Sequence, residues 1–148
     1  MGTLAINKRA NFDYSLTDTY EAGLVLNGQE VKSVRAGQVS LKESFVTLKG
    51  AELYLTNAFI SPYKQAGLKL INDPTRPRKL LLRKSEIRQL IGKVRTQGLT
   101  LVPLRLYTKK RLLKLAFAVG KGKKQYDKRE DLAKKEAKRN IDRALKSS

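Results

Sequence analysis

The chain has no cysteine and no histidine in 148 residues. The first absence excludes disulfides, thiol nucleophiles and thiolate metal sites; the second excludes imidazole as a ligand or proton carrier near neutral pH. Lack of cysteine is compatible with a reducing cytoplasm. No apolar run approaches the roughly 20 residues that a membrane-spanning helix needs. The first nine residues lack the apolar core of a secretory signal. Gly2 does not begin a myristoylation motif, because Ile6 stands where that motif wants Ser or Thr. Acidic residues are scarce, 13 against 32 Lys and Arg, for a net charge of +19. So large a surplus repels itself in the compact state, and a polyanion relieves it. The basic residues come in punctuated runs, which points to nucleic acid as the partner.

What is present is enough for one domain with its own core, since 41% of the residues are hydrophobic. Residues 12–26 read as a long strand, with Gly23 marking a bulge. Asn27-Gly28 is turn chemistry, and residues 29–35, with Val31 and Val34 three apart, read as a short helix closed by Gly37. Residues 39–59 alternate as a hairpin around Gly50-Ala51. Residues 61–79 read as a long irregular stretch ending in the rigid, basic Asp73-Pro74-Thr75-Arg76-Pro77-Arg78-Lys79. Ile87, Leu90, Ile91 and Val94 fall at helical spacing, with Ser85 as N-cap and Gly98 as stop. A second hairpin follows. Val102, Leu104 and Leu106 share one face of its first strand; Leu113, Leu115, Phe117 and Val119 point inward from its second, with Lys114 on the other side. This pattern predicts an all-β core with flanking helices. Sheet closure removes exposed edges, so a closed antiparallel barrel of the oligonucleotide-binding (OB) type is expected over residues 1–119.

Residues 120–148 form the second unit, a basic tail with eleven Lys and Arg against five Asp and Glu. Its acid-before-lysine pairs, Glu130 with Lys134 and Asp131 with Lys135, favour a helix. Its apolar stripe of Ala133, Ala137, Ile141, Ala144 and Leu145 is too thin to fold alone. The tail is therefore expected to be disordered in isolation and helical on its target. Gly120-Lys121-Gly122-Lys123-Lys124 lacks Walker A spacing, and reads instead as a flexible, phosphate-hugging hinge.

No catalytic constellation stands out. Asp13, Asp18, Glu21, Glu30, Glu43 and Glu52 are scattered, and nothing requires Glu21 and Glu30 to meet. Lys32, Arg35, Lys42, Arg76, Arg78, Lys79, Arg83 and Lys84 make a second basic set, with Tyr14, Tyr20, Tyr54 and Tyr63 available for base stacking. A small basic RNA-processing enzyme and a structural ribosomal protein remain alternatives to an RNA-binding module.

Four blocks carry a resemblance. They are Glu21-Ala22-Gly23, the run from Gly28-Gln29-Glu30 through Ala36-Gly37, the run from Asp73-Pro74 through Leu82, and the run from Gly120-Lys121 through Lys128-Arg129. In order and spacing they resemble the small protein B (SmpB) family of bacterial tmRNA-binding proteins, from about Asn7 to about Leu145. The resemblance implies an OB-type barrel that grips the tRNA-like domain of tmRNA. It implies delivery to stalled 70S ribosomes for trans-translation and nascent-peptide tagging, with the tail in the vacant mRNA channel and decoding centre. It also implies contact with elongation factor Tu and alanyl-tRNA synthetase through the tmRNA complex. A cytoplasmic monomer is expected, with no membrane, cofactor, metal or catalytic residue. Asn7, Glu21, Leu82 and Lys114 match family positions at the RNA-binding surface, and Lys32, Ser33, Arg35, Arg78 and Lys79 lie in the motifs around it. Lys121, Lys123, Lys124, Tyr126, Asp127, Lys128 and Arg129 match the tail motif, while Ile141 and Leu145 belong to the tail helix. Phe45 departs from a common tyrosine, and Tyr126 stands where some members carry histidine.

Overall fold

The computed structural model describes residues 2–62 and 73–123. Chain order is β1 (Gly2–Ile6), α1 (Ala10–Asp13), β2 (Tyr14–Leu24), α2 (Gly28–Arg35), β3 (Val39–Ser40), β4 (Phe45–Lys49), β5 (Glu52–Thr56), β6 (Phe59–Ile60), β7 (Arg78–Leu81), α3 (Lys84–Gln97), β8 (Thr100–Lys109) and β9 (Leu112–Gly122). The fold is mostly β with a few helices, as expected. Seven strands pair in the order β1-β8-β4-β5-β7-β2-β9, and β8 also pairs with β9, so the ladder returns on itself with β1 appended to β8. β3 and β6 form a separate two-stranded sheet.

Period-2 alternation builds the interior. Leu53 and Leu55 of β5, Leu80 of β7, and Leu115, Phe117 and Val119 of β9 all point inward and are buried. Leu90 of α3 and Val34 of α2 join the same cluster. Each such side chain stabilises by about 1.5–3 kcal/mol relative to exposure.

The two longer helices, α2 and α3, obey their end signals unequally. In α2, Asn27 is more than a turn residue. Its Oδ1 accepts from the Glu30 amide at 2.9 Å while Glu30 Oε1 accepts from the Asn27 amide at 3.1 Å, a reciprocal capping box. Gly37 ends the helix region at φ +76°. α3 stops at Gly98 in the left-handed region, as the spacing predicts, but it begins at Lys84 and has no side-chain cap. Ser85 therefore lies inside the helix.

Four strand expectations need correction. Residues 10–13 are helix, so β2 begins at Tyr14; its register shift lies between Leu16 and Thr19, and Gly23 is regularly paired with Lys114. Within the stretch read as irregular, residues 78–81 are a strand paired with both β5 and β2. In β8 the register slips between Pro103 and Arg105. One inserted residue reverses the alternation, so Leu101 and Leu106 share the core, while Val102 and Tyr107 are buried outside it. Pro103 has no N–H to give a ladder and sits where the ladder breaks. Here β8 passes from β4, at Leu101, to β1, from Arg105 onward.

β9 also runs further than expected. Gly120, Lys121 and Gly122 pair with Leu16, Ser15 and Tyr14, and the Lys123 amide donates to Asp13 O at 2.9 Å. A Cβ on Gly120 would meet Leu16 Cδ2, Tyr14 Cβ and Val102 Cγ2 at 3.2 Å. This glycine permits close packing rather than a hinge.

Candidate nucleic-acid interface

The face of the sheet turned away from the core gathers charge. Across β2, β9 and β8 the register aligns Gly23 with Lys114 and Lys114 with Tyr107; the next outward row is Glu21, Ala116 and Arg105. Glu21 and Tyr107 lie on strands separated by β9, roughly 9.5 Å apart by strand spacing. Both side chains are long, and Ala116 puts only a methyl group between them. Tyr107 donates its hydroxyl to Glu21 Oε2, and Lys109 Nζ stands 3.5 Å from the same oxygen. That Tyr107 hydrogen bond, helped by Lys109 and Lys114 against a smaller desolvation effect, holds the Glu21 carboxyl below its ordinary range. Burial, then the Glu21 bond, pushes the Tyr107 phenol up to about 12. Arg105 lies over the Tyr107 ring at 4.2 Å and donates to Thr3 Oγ1 at 3.1 Å. The result is an ionised carboxylate held in place among cations.

The rim of this face is a strained basic hairpin tip. Lys109 pairs with Leu112, so Lys110 and Arg111 alone make the turn, at φ 50° and 66°. Two-residue turns of this kind favour Asn and Gly, and a residue with a Cβ is strained there. Arg35, in the last turn of α2, ties the tip down by donating to Arg111 O at 2.7 Å.

A second network is interior. Glu30 is buried and accepts from both Arg76 and Arg78. Arg78 Nε reaches Glu30 Oε2 at 2.8 Å, Nη1 reaches Ala58 O at 2.7 Å, and Nη2 reaches Pro74 O at 2.9 Å. Burial pushes the Glu30 carboxyl up, but hydrogen bonds from Arg76, the Asn27 amide and Arg78 outweigh it and leave it lowered. A carboxylate lowered in the folded state stabilises above its unfolded pKa, and that stability is lost as pH falls through the folded value. Urea unfolding at pH 7, 5 and 3.5 is expected to show stability falling with pH. Glu30→Gln should start less stable and lose less over that range. An equal loss in both proteins would remove Glu30 from the acid response.

The SmpB family model matches residues 4–147 of this chain. An SsrA-binding protein of Anoxybacillus flavithermus is 55% identical over 143 residues, covering 97% of this chain and 92% of the relative. One from Bacillus subtilis is 51% identical over 145 residues, covering 98% and 92%. A chain of the solved structure "tmRNA-SmpB: a journey to the center of the bacterial ribosome" is 46% identical, with a TM-score of 0.67, covering 86% of this chain and 92% of that one. This chain belongs to the SmpB family.

Within this SmpB-family chain the structure sorts the expected site residues. Glu21 and Lys114 meet on the outward face, with Lys79 of β7 on the same side, its ammonium 3.2 Å from Glu52. Lys32 and Arg35 lie exposed on α2. Arg78 and Ser33 are corrections, because each side chain is 1% exposed and has no path to a ligand. Arg78 belongs to the Glu30 network, and Ser33 Oγ has no hydrogen-bond partner among the described residues. Asn7 supports the framework. Its amide and its Nδ2 donate to Leu104 O at 2.8 Å and Pro103 O at 2.9 Å, satisfying carbonyls at the β8 bulge. Leu82 packs against the core cluster, whereas its neighbour Leu81 is 53% exposed beside Gly23. Lys121 lies at the far end of β9, about 23 Å from Lys114 at strand rise, and Lys123 lies just past that end. Lys124, Tyr126, Asp127, Lys128, Arg129, Ile141 and Leu145 lie outside the described residues, as does Tyr63. Sequence reasoning missed Tyr107, Lys109, Arg105 and Leu81. Only the β8 bulge and the β7 pairing turn them toward Glu21.

Proposed function

We propose that this chain binds the tRNA-like domain of tmRNA and brings it to stalled ribosomes for trans-translation. The observation that carries this is the outward face of β2, β9 and β8, where Glu21, Lys114, Lys109 and Arg105 converge in a chain of +19 net charge. Relatives named SsrA-binding protein and the tmRNA-SmpB ribosome structure support the same reading. We read the ring of strands as an OB-type barrel that meets RNA by shape and phosphate contacts. The tail, from Lys124 onward, is the segment that occupies the vacant mRNA channel and decoding centre, becoming helical there. Tyr126, Asp127, Lys128 and Arg129 meet ribosomal RNA, and Ile141 and Leu145 supply the tail's apolar side. Elongation factor Tu and alanyl-tRNA synthetase are met through the RNA. The protein acts as a monomer in the cytoplasm, as a binding protein and not a catalyst.

Lys114→Ala tests the face directly. Its affinity for tRNA-like RNA should fall, and the slope of log K against log salt should flatten by about one. An unchanged slope would remove Lys114 from the phosphate contacts. The RNA that co-purifies with the protein from cells tests the whole reading: tmRNA supports it, and bulk tRNA would not.

A further inference from the structure

At the end of β9 far from Lys114, the chain arrives at a groove. It lies between the turn from β1 into α1 and the loop from β3 to β4, an open cavity of about 970 Å³. Its inner wall is apolar, with Ala10, Leu41 and Val46 buried in it. Two large apolar side chains stand on its lips, Ile6 at 59% exposed and Phe45 at 43%. Both lips are fixed. Asn7 Nδ2 holds the first to Pro103 O at 2.9 Å, and Ser44 Oγ holds the second to Leu41 O at 2.6 Å. Asn57 Nδ2 also donates to Glu43 O at 3.1 Å, stapling a loop in which Glu43 stands at φ 61°.

Three features of the rim point to its occupant. First, the body ends here. Gly122 pairs with Tyr14 and the Lys123 amide donates to Asp13 O at 2.9 Å, and both Asp13 and Tyr14 line the groove. Residues from Lys124 onward therefore leave the body at the groove's edge, and Tyr126 is the first large apolar side chain after that exit. Three residues of chain span at most about 10 Å, and so short a tether gives a local concentration on the order of millimolar. Second, the polar groups of the wall are spent. Asn7 and Ser44 have the partners named above, and Ser40 Oγ accepts from the Lys42 amide at 3.2 Å. The wall offers apolar area and no edge to read, which suits a side-chain ring better than a nucleobase. Third, the charges fit. Lys8 and Lys42 line the groove without an acid partner among the described residues, whereas Asp13 is engaged by Arg9. Glu43 is the other acid of the rim. Asp127, next to Tyr126, suits the two lysines, while a second copy of the chain would set +19 against +19.

We propose that this groove seats the chain's own Tyr126, with Asp127 on the cations of the rim, in the protein free of the ribosome. The ring packs between Ile6 and Phe45, and its hydroxyl stays at the mouth in water, where it needs no buried partner. Beyond Asp127 the tail keeps the expectation drawn from its thin apolar stripe. Docking is a property of the free chain. Its use rests on the tail reading above: a seated Tyr126 cannot meet ribosomal RNA, so the tail engages only where the vacant mRNA channel competes it off the groove.

The native chain has no cysteine, so an introduced pair reports this contact alone. In the full chain carrying Gln125→Cys and Lys42→Cys, oxidation by glutathione disulfide should form an intrachain disulfide. Adding Tyr126→Ala, or Ile6→Asp on the exposed lip, should slow its formation about tenfold, the fold-change that burial of one large apolar side chain supports. In the full chain without cysteines, the methyl resonances of Ala10 and Val46 should carry a ring-current shift that Tyr126→Ala removes. The proposal is overturned if Tyr126→Ala leaves the disulfide rate unchanged, if those resonances do not move, or if the disulfide joins two copies. It is also overturned if the resonances respond to tRNA-like RNA and not to Tyr126→Ala, which would give the groove to a base. The disulfide-locked chain should bind tmRNA, fail to tag nascent peptides, and tag again once reduced. Tagging by the locked chain would overturn the restraint. Failure of the underlying reading is separate: the reduced chain would not tag and would retrieve bulk tRNA, while the disulfide and resonance results stand.

Discussion

Replacing Arg78 with alanine should cost about 3–5 kcal/mol of folding stability, as expected when one partner of a buried ion pair is removed. The guanidinium is buried and fully used: it serves Glu30, Ala58 O and Pro74 O together. Truncation leaves Glu30 inside with half-buried Arg76 as its remaining cation, strands the Ala58 carbonyl, and leaves Pro74 O with only the Ile60 amide. It also unties three segments, because the same side chain joins α2, the entry to β6 and the approach to β7. Arg78→Lys should fall between, since an ammonium keeps the charge but lacks the planar fork. Lys79→Ala is the control. Its ion pair with Glu52 is solvent-exposed, and exposed pairs contribute little. Urea unfolding followed by far-ultraviolet circular dichroism measures all three. An Arg78→Ala loss no larger than that of Lys79→Ala would show that the buried network is dispensable.

The second large effect is on peptide tagging. A chain ending at Lys123 should bind tmRNA with nearly native affinity and fail to tag nascent peptides on stalled ribosomes. The cut position matters. Composition alone places the boundary at residue 119, but residues 120–122 are ladder-paired with β2 and the Lys123 amide is bonded to Asp13 O. Ending the chain at Val119 removes those bonds and the packing of Gly120 against Leu16, Tyr14 and Val102. That variant should lose stability and RNA affinity as well as tagging, and so mix two causes. In vitro translation of a message without a stop codon, with parallel RNA titrations, distinguishes the outcomes. If the Lys123 truncation loses affinity as steeply as tagging, body and tail do not divide the work as proposed.

Legibility in the sequence followed the range of the interaction. α2, the α3 stop at Gly98, and both hairpins were readable, because their signals lie within a few residues of one another: Val31 and Val34, Gly37, Gly50-Ala51, and the alternation from Leu113 to Val119. Features that depend on a partner distant in sequence were not. Arg76, Arg78 and Lys79 look alike in a basic run; strand β7 turns Arg78 in and Lys79 out because adjacent residues of a strand face opposite ways. Asn7 reads as a polar residue available for RNA until β1 meets the Pro103 bulge 96 residues away.

From the chain's residues alone come its large positive charge, its lack of thiol and imidazole chemistry, its one β-rich core and the SmpB pattern in four blocks. Those follow from composition and local spacing, which no packing can alter. Which cations face outward and which are structural was settled by packing, as were the clamping of Glu21 by Tyr107 and the extension of the body to Lys123. Each depends on strand register, and a one-residue shift, such as the bulge in β8, exchanges the buried and exposed faces of everything beyond it.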